Sequence, residues 1–453
     1  MLMKILKYLV YIIGAAVVLL LLALLTGFLV DMATYPSIKN NSKKALQELK
    51  SQVKEGDNNA WNYYLKAADE LGDQSFSNNL QNYLKGGKEL NDEIQDEINR
   101  HQDVLKSVAE GARQPFCSVP YEYEKGWKAP VPNFLKLQML SRLNAGVALG
   151  LLKNGKTEES FKTMLTGLVF GQHLLSSAPI LINYMVGLVI TGIDLTVLNP
   201  AVASGSLSKK QLDTLSLVLE NFEQNMPLLA WAYEGDLSNM KIGFASASFF
   251  NPVDLDLLFS SDDNSIPKRI IMRFMLWRHL FSIRLAAINS MKVWDRILPT
   301  IANTECRFIG KQLVDATKGF YSDEQIRKYV SQNLMFELIS PGVTSLKRKE
   351  GMLTKVRLLR LAALVWAHRL ATNRFPGSLA EIKTDSLAVV DPMQGAMWHY
   401  VDFGDSAAII SPGPDHNYNS PDDIYLVLKK SGIKKYQDEM KARKGPPLPK
   451  DED

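Results

Sequence analysis

The feature that most constrains this chain is a run from Tyr8 to Val30 without a single charged residue, dense in Leu, Val, Ile and Ala. At 1.5 Å per residue a helix of this length covers about 30 Å of hydrocarbon, enough to span a bilayer. A cleaved signal peptide has a shorter apolar core, about 7–15 residues, followed by a small-residue cleavage site. Here Asp31-Met32-Ala33-Thr34-Tyr35-Pro36 comes next and offers no such site. An uncleaved anchor is therefore expected. Lys4 and Lys7 precede the run and Asp31 is the first charge after it. Positive charge stays on the cytoplasmic side. This predicts a single pass through the inner (cytoplasmic) membrane, N-terminus in, with the bulk of the chain periplasmic or otherwise extracytoplasmic.

A second charge-poor stretch complicates that topology. Met164 to Ile193 holds no Asp, Glu, Lys or Arg, but it does hold Gln172, His173, Ser176, Ser177, Pro179 and Asn183. Ser-Ser-Ala-Pro reads as a break between two helices, and buried core helices are apolar all round. A buried hairpin is the preferred reading over a second span.

Beyond the anchor, the chain has the composition of an ordinary globular protein. Lys and Arg total 52 against 48 Asp and Glu, a net +4 that is too small and too scattered to argue for nucleic acid as a partner. The two cysteines, Cys117 and Cys306, are either a pair in an oxidising compartment or two separately buried thiols; their number does not make a disulfide framework.

From about residue 38 to 340 the pattern is helical. Leu90, Ile94, Ile98, Leu105 and Val108 form one apolar stripe between Lys88 and Ala112. Ser208 with Gln211 and Ser322 with Gln325 fit the capping box, and Thr157 opens a helix with Glu158 and Glu159 placed for its dipole. Between Leu140 and Ser177 the chain reads helix, Lys-Asn-Gly-Lys turn, helix. No second copy of that hairpin recurs at a fixed period, and the tetratricopeptide signature is absent.

Two stretches interrupt the body. Residues 113–133 combine Pro115, Pro120, Pro130 and Pro132 with Phe116, Tyr121, Tyr123 and Trp127, which predicts a long loop packed over the helices, with a peptide- or glycan-binding surface as the alternative. Ser248 to Pro267 carries Asp254, Asp256, Asp262 and Asp263. The helix expected after it, through Ile288, mixes Arg273, Arg278 and Arg284 with Phe274, Trp277, Leu280 and Phe281. Such a helix suits a membrane surface or a core whose arginines reach solvent along apolar stems.

Near residue 350 the pattern changes. A helix from about Leu353 to Thr372 leads to the turn Pro376-Gly377, and Ser378 with Glu381 reads as a capping box for a short helix. Strands are expected around Met397–Val401, Ala407–Ile410 and Ile424–Leu428. The fold class is thus mainly α: an N-terminal transmembrane helix (1–30), a multi-helix body (31–345) and a small α+β module with a short antiparallel sheet (350–432). A charged tail (433–453) with Gly-Pro-Pro-Leu-Pro is expected to be disordered.

Phe375-Pro376, Ser378-Leu379, Asp391-Pro392 followed by Trp398 and Tyr400, the turn Ser411-x-Gly413-x-Asp415, and Asp422-Asp423-Ile424 give this module its resemblance. Over about 80 of the 453 residues it resembles the C-terminal half of the type II secretion major pseudopilin. The anchor has neither that family's leader nor its Phe-Thr-Leu-Ile-Glu helix start, so the resemblance is to the head alone. It implies a secretion-related setting with other envelope proteins as partners. It also implies a calcium ion on the Asp-rich loop, held by Asp415, Asp422 and Asp423. Asn417 and Asn419 add oxygens at alternating positions, as calcium prefers. The loop is not an EF-hand, since Leu426 stands at the twelfth position.

No catalytic constellation emerges. The six histidines, His101, His173, His279, His368, His399 and His416, form no helical zinc pair. There is no Gly-x-Ser-x-Gly, Walker loop or Gly-x-Gly-x-x-Gly. His399 and His416 are within plausible reach of Asp391 or Asp402 in the folded head. The sequence therefore leans towards a non-enzymatic interaction or assembly protein of the envelope. The alternative is an envelope hydrolase acting on polysaccharide or peptide along loop 113–133.

Overall fold

The computed structural model describes residues 2–72, 78–84, 92–246, 298, 342–384, 387–413, 416–431 and 433–442. Cys306, the Ser322–Gln325 cap, the acidic stretch 248–267, the arginine-rich helix after it and Asp415 lie outside them. The described chain is mainly helical, with a small antiparallel sheet near its C-terminus.

Helix α1 runs unbroken from Leu2 to Gln52 with Pro36 inside it. Its two halves differ in surroundings. Tyr8, Tyr11, Ile12, Leu19, Leu25 and Leu29 are more than half exposed, whereas Ile38, Ala45 and Leu49 are buried. The spacing of those three, seven and four residues, puts one stripe of the outer half against the body.

Helices α2 (Ala60–Glu70), α3 (Asn78–Leu84), α4 (Asp92–Arg100) and α5 (Gln102–Ala112) follow. The apolar stripe expected as one helix over 88–112 is split between α4 and α5 at His101, whose ψ of 18° leaves the helix. The split has a packing reason. Ile94 and Ile98 join one hydrophobic cluster with Leu80 and Leu143, while Val104 and Val108 join a second with Tyr64 and Phe170. A straight helix could not serve both.

After the 3₁₀ segment η1 (Tyr123–Lys128) come α6 (Phe134–Lys153), α7 (Thr157–Leu175) and α8 (Leu181–Ala203). The α6–α7 turn places Gly155 at φ 75°, a conformation that costs other residues. Thr157 is the first helical residue, with Lys156 at the cap. Helices α7 and α8 meet at glycine: a Cβ on Gly187 would come 2.7 Å from the Leu175 backbone nitrogen. The chain breaks between them at residues 176–180. Helix α8 is long and apolar enough to cross a membrane, but 67 % of its most apolar window is buried inside the protein.

Helix α9 (Lys209–Gln224) begins with the full capping box of Ser208 and Gln211, and α10 (Leu229–Ser246) packs along the outer half of α1. The change of pattern near residue 350 falls inside one long helix, α11 (Gly342–Thr372), which packs on α8 and α9. Arg357 and Arg360 on α11 are buried, and they meet Glu223 and Glu220 on α9. Arg357 Nε donates to Glu223 Oε1 at 2.7 Å, and Arg360 Nη2 lies 2.7 Å from Glu220 Oε2. Helix α11 ends with Asn373 at φ 61°.

In the head, η2 is only Leu379–Glu381, and Ser378 makes no side-chain cap bond. Glu381 holds the turn instead, accepting from the Gly377 N–H at 2.9 Å and pairing with Arg374 at 2.8 Å. Strands β1 (Val390–Asp391) and β2 (Ala396–Met397) pair with each other. Strands β3 (His399–Asp402), β4 (Ser406–Ser411) and β5 (Ile424–Lys429) form an antiparallel sheet in that order. Ala407, Ile409, Leu426 and Leu428 belong to the same hydrophobic cluster as α8, α9 and α11. The head and body therefore share one core.

The expectation of disorder from residue 433 needs correction: Ile433–Ala442 forms helix α12. The Ser431 N–H donates to the Ser204 carbonyl at 3.2 Å, and Lys429 pairs with Glu439 at 3.0 Å. These contacts fasten a segment whose composition alone argues for solvation. Residues 443–453 lie outside the described chain.

Buried pairing makes a direct prediction. Glu223→Gln leaves the Arg357 guanidinium buried without its counter-charge and should cost about 3–5 kcal/mol in urea unfolding. Asp213→Asn, which breaks the exposed Lys209–Asp213 pair, should leave the midpoint nearly unchanged.

Candidate functional site

Loop 113–133 packs onto the body through polar contacts at defined points. Ala60 N–H donates to the Phe116 carbonyl at 2.9 Å and Val119 N–H to the Ser177 carbonyl at 3.0 Å. Asn59 is bonded to both backbone groups of Ser118, donating to its carbonyl at 2.7 Å and accepting from its N–H at 2.9 Å. The Tyr121 hydroxyl donates to Asn183 Oδ1, and Asn183 Nδ2 donates to Ser177 Oγ at 2.9 Å. Tyr123 is buried. The start of α2, the break between α7 and α8, and the first turn of α8 thus supply the groups that hold the loop.

The titratable groups beneath this loop are shifted chiefly by loss of water. Burial pushes Asp236 up to about 7, against the pull of the Leu181 N–H, which donates to its carboxyl at 3.4 Å. Burial lowers His173 to about 4, and its Nδ1 lies 2.8 Å from the Tyr64 hydroxyl. Cys117 is a free, buried thiol that burial pushes up. Deeper in the body, burial raises Asp194 well above the usual carboxylate range, opposed by a hydrogen bond from Asn144. The acidic residues on the loop itself are taken up at the surface, Glu124 by Lys50 and Glu122 by Lys125.

The residues proposed for calcium lie on the turn between β4 and β5. Asp422 and Asp423 are half-buried, and Asn417 and Asn419 are exposed. Asn419, at φ 69°, donates its N–H to Asp423 Oδ2 at 2.8 Å. The Ser420 hydroxyl reaches Asp422 Oδ1 and, at 3.5 Å, Asp423 Oδ1. Two carboxylates thus converge on one hydroxyl. Among the described residues no group of three or more His, Cys, Asp or Glu is placed to hold a metal ion.

A neighbouring arrangement was only half legible. Asp391 is buried under the sheet, its Oδ1 accepting the Met393 N–H at 2.9 Å. Burial raises it; Ser411, the Met393 N–H and the charges of His416 and Arg357 oppose the rise. Of the two head histidines, His416 is the one whose charge reaches Asp391. His399 instead packs against Tyr418 with the rings tilted and their centroids 5.2 Å apart, and Asp402 accepts the Gly404 N–H at 2.8 Å. Ser411, fully buried, gave no signal beyond its turn.

Comparison with protein-family models, with curated proteins and with solved structures finds no match for this chain. Its function has to be argued from its own geometry.

Asp236 offers a pH test. Its folded value of about 7 lies above the ordinary value of about 3.9. Between these limits the native state keeps a proton that the unfolded chain has lost, so stability falls as pH rises through the window. Asp194 contributes with the same sign. Asp236→Asn retains an oxygen for the Leu181 N–H but cannot titrate. Unfolding free energy measured across pH should flatten, with the variant gaining on wild type between about pH 4 and pH 7, by at most about 4 kcal/mol in all. Parallel curves would refute the assignment.

Proposed function

We propose that this is a membrane-anchored protein of the cell envelope, single-pass with its N-terminus in the cytoplasm. Its helical body and pseudopilin-like head bind other envelope proteins in a secretion-related assembly. The observation that carries the membrane reading is the division of α1: apolar side chains stand exposed from Tyr8 to Leu29, and burial against the body begins at Ile38. Tyr8 and Tyr11 stand at one end of the exposed stretch and Tyr35 at the other. Aromatic residues of this kind mark the two interfaces of a bilayer. The interval from Tyr8 to Tyr35 covers about 40 Å of helix, the thickness of a bilayer with its headgroups. The positive flank of Lys4 and Lys7 supports the orientation.

An interaction role is favoured over hydrolysis because the acidic side chains on loop 113–133 are engaged in surface ion pairs. The carboxyl beneath the loop, Asp236, caps the start of α8. The full chain should stay in the membrane pellet after alkaline carbonate extraction, and deletion of residues 2–30 should release it. Extraction of the intact chain would sink the anchor reading. For the interaction reading, crosslinking from intact membranes is best done on a folded chain, because head and body share a core. Met397→Asp with Phe403→Asp, both exposed on the head, should remove partners captured by wild type. An unchanged partner set counts against the head as the binding surface.

A second reading concerns calcium. The convergence of Asp422 and Asp423 on the Ser420 hydroxyl places like charges together, where a divalent cation relieves repulsion. Calcium should raise the thermal midpoint of wild type and leave Asp422→Asn/Asp423→Asn unmoved. An equal response of both chains removes the site.

A further inference from the structure

Among the described residues, the most exposed large apolar side chains outside α1 are Leu135, at 67 %, and Val131, at 61 %. They lie where loop 113–133 turns into α6. Their height along α1 is set by the contacts of α10. Near the start of α10, Trp231 Nε1 donates to Gln52 Oε1 at 2.9 Å, at the far end of α1. Near its end, Ile242 shares a hydrophobic cluster with Ala45 and Leu49. Helix α10 therefore runs antiparallel to α1. Twelve residues from Trp231 to Gly243 descend about 18 Å, to a level near residue 40 of α1.

The loop follows α10 downward. Ser118 accepts the Lys54 N–H at 3.0 Å, and Glu124 pairs with Lys50. Gly126, at φ 54°, is seated on Gly243, where an added Cβ would meet the Gly243 nitrogen at 2.7 Å. Residues 129–133 then lead into α6, which packs on α7 and α8. Among the described residues, Gly126 of η1 thus lies near the lower end of α10, with Val131 and Leu135 five and nine residues further along the chain. Gly126 lies about 7 Å, five residues of helix, beyond Tyr35. Lys39, whose ammonium lies 5.7 Å from the centre of the Tyr35 ring, and Lys43 are exposed on α1 at the same level.

We propose that this loop tip, with Val131 and Leu135 outermost, rests among the lipid headgroups of the non-cytoplasmic leaflet. Lys39 and Lys43 meet anionic headgroups beside it. The inference rests on the anchor reading of α1 and adds a second contact with the bilayer. Proximity selects the occupant: α1 has no flexible linker between its exposed and packed halves, so the body is held against whatever surface α1 enters. Apolar side chains beside lysines suit the headgroup–acyl boundary.

The test uses the full chain with Cys306→Ser, reconstituted in vesicles of phosphatidylethanolamine and phosphatidylglycerol. Buried Cys117 is left in place. An environment-sensitive fluorophore is attached singly at Val131→Cys, at Leu19→Cys within the anchor, and at Leu228→Cys near the distal end of α10. Quenchers are carried on the lipids at headgroup and mid-chain depth. The expected result is quenching of the residue-131 label by the headgroup quencher, of the residue-19 label by the mid-chain quencher, and of the residue-228 label by neither. A residue-131 label as unquenched as the distal one, with residue 19 quenched, overturns the loop contact and leaves the anchor standing. An unquenched residue-19 label overturns the anchor, and the loop contact with it.

Discussion

The double ion pair between α9 and α11 is the constraint on which the arrangement of head and body depends. Glu220 and Glu223 are three residues apart on one helix, as Arg357 and Arg360 are on the other. That shared spacing gives one register in which both pairs close. Taking the two guanidinium groups out of water is costly, and such pairs contribute more to choosing an arrangement than to stability. Beyond it the same helix carries the head. Trp366 packs on Phe375 with ring centroids 5.3 Å apart, and Arg369 lies 4.1 Å over the Phe375 ring. On its other side the Trp366 ring presses on Gly205, where a Cβ would come within 2.7 Å. A slip of one turn in α11 would break both ion pairs and lift the sheet from the body.

Local signals in the sequence are legible where local chemistry decides. Ser208 and Gln211 cap α9 as expected, the Lys-Asn-Gly-Lys turn separates α6 from α7, and the strands expected at Ala407–Ile410 and Ile424–Leu428 match β4 and β5, whereas the one expected around Met397–Val401 is split between β2 and β3. The misses share one cause. His101 interrupts a periodic stripe because two clusters on different sides claim its halves. Glu381 rather than Ser378 holds the turn before η2, because Arg374 and the Gly377 N–H lie within its reach. Helix α12 forms because Ser431 is tied to Ser204. None of these partners is adjacent in sequence to the group it controls, except at the turn.

The polar residues of greatest interest were hard to see for a related reason. Asp236 stands in a helix of mixed character, and only the fold sets it at the start of α8 beneath Tyr121. Asp391 reads as a turn residue and is one, through the Met393 N–H, but burial beside His416 gives it a second character. On the Asp-rich loop the sequence named the side chains, and the fold added the convergence on Ser420.

Pro36 bears on how deep α1 would sit as the proposed anchor. A proline has no N–H to give, so the helix loses the bond that residue 36 would offer to the Met32 carbonyl. In water that loss is slight, because a solvent molecule can take the place. In hydrocarbon, an under-bonded carbonyl costs several kcal/mol. Two residues earlier the Thr34 hydroxyl adds a bond to the Val30 carbonyl at 2.9 Å, at the other edge of the same turn. Under the proposed membrane reading, the turn around Met32 acts as a depth stop: α1 cannot sink past it without dragging a polar backbone group into the oil.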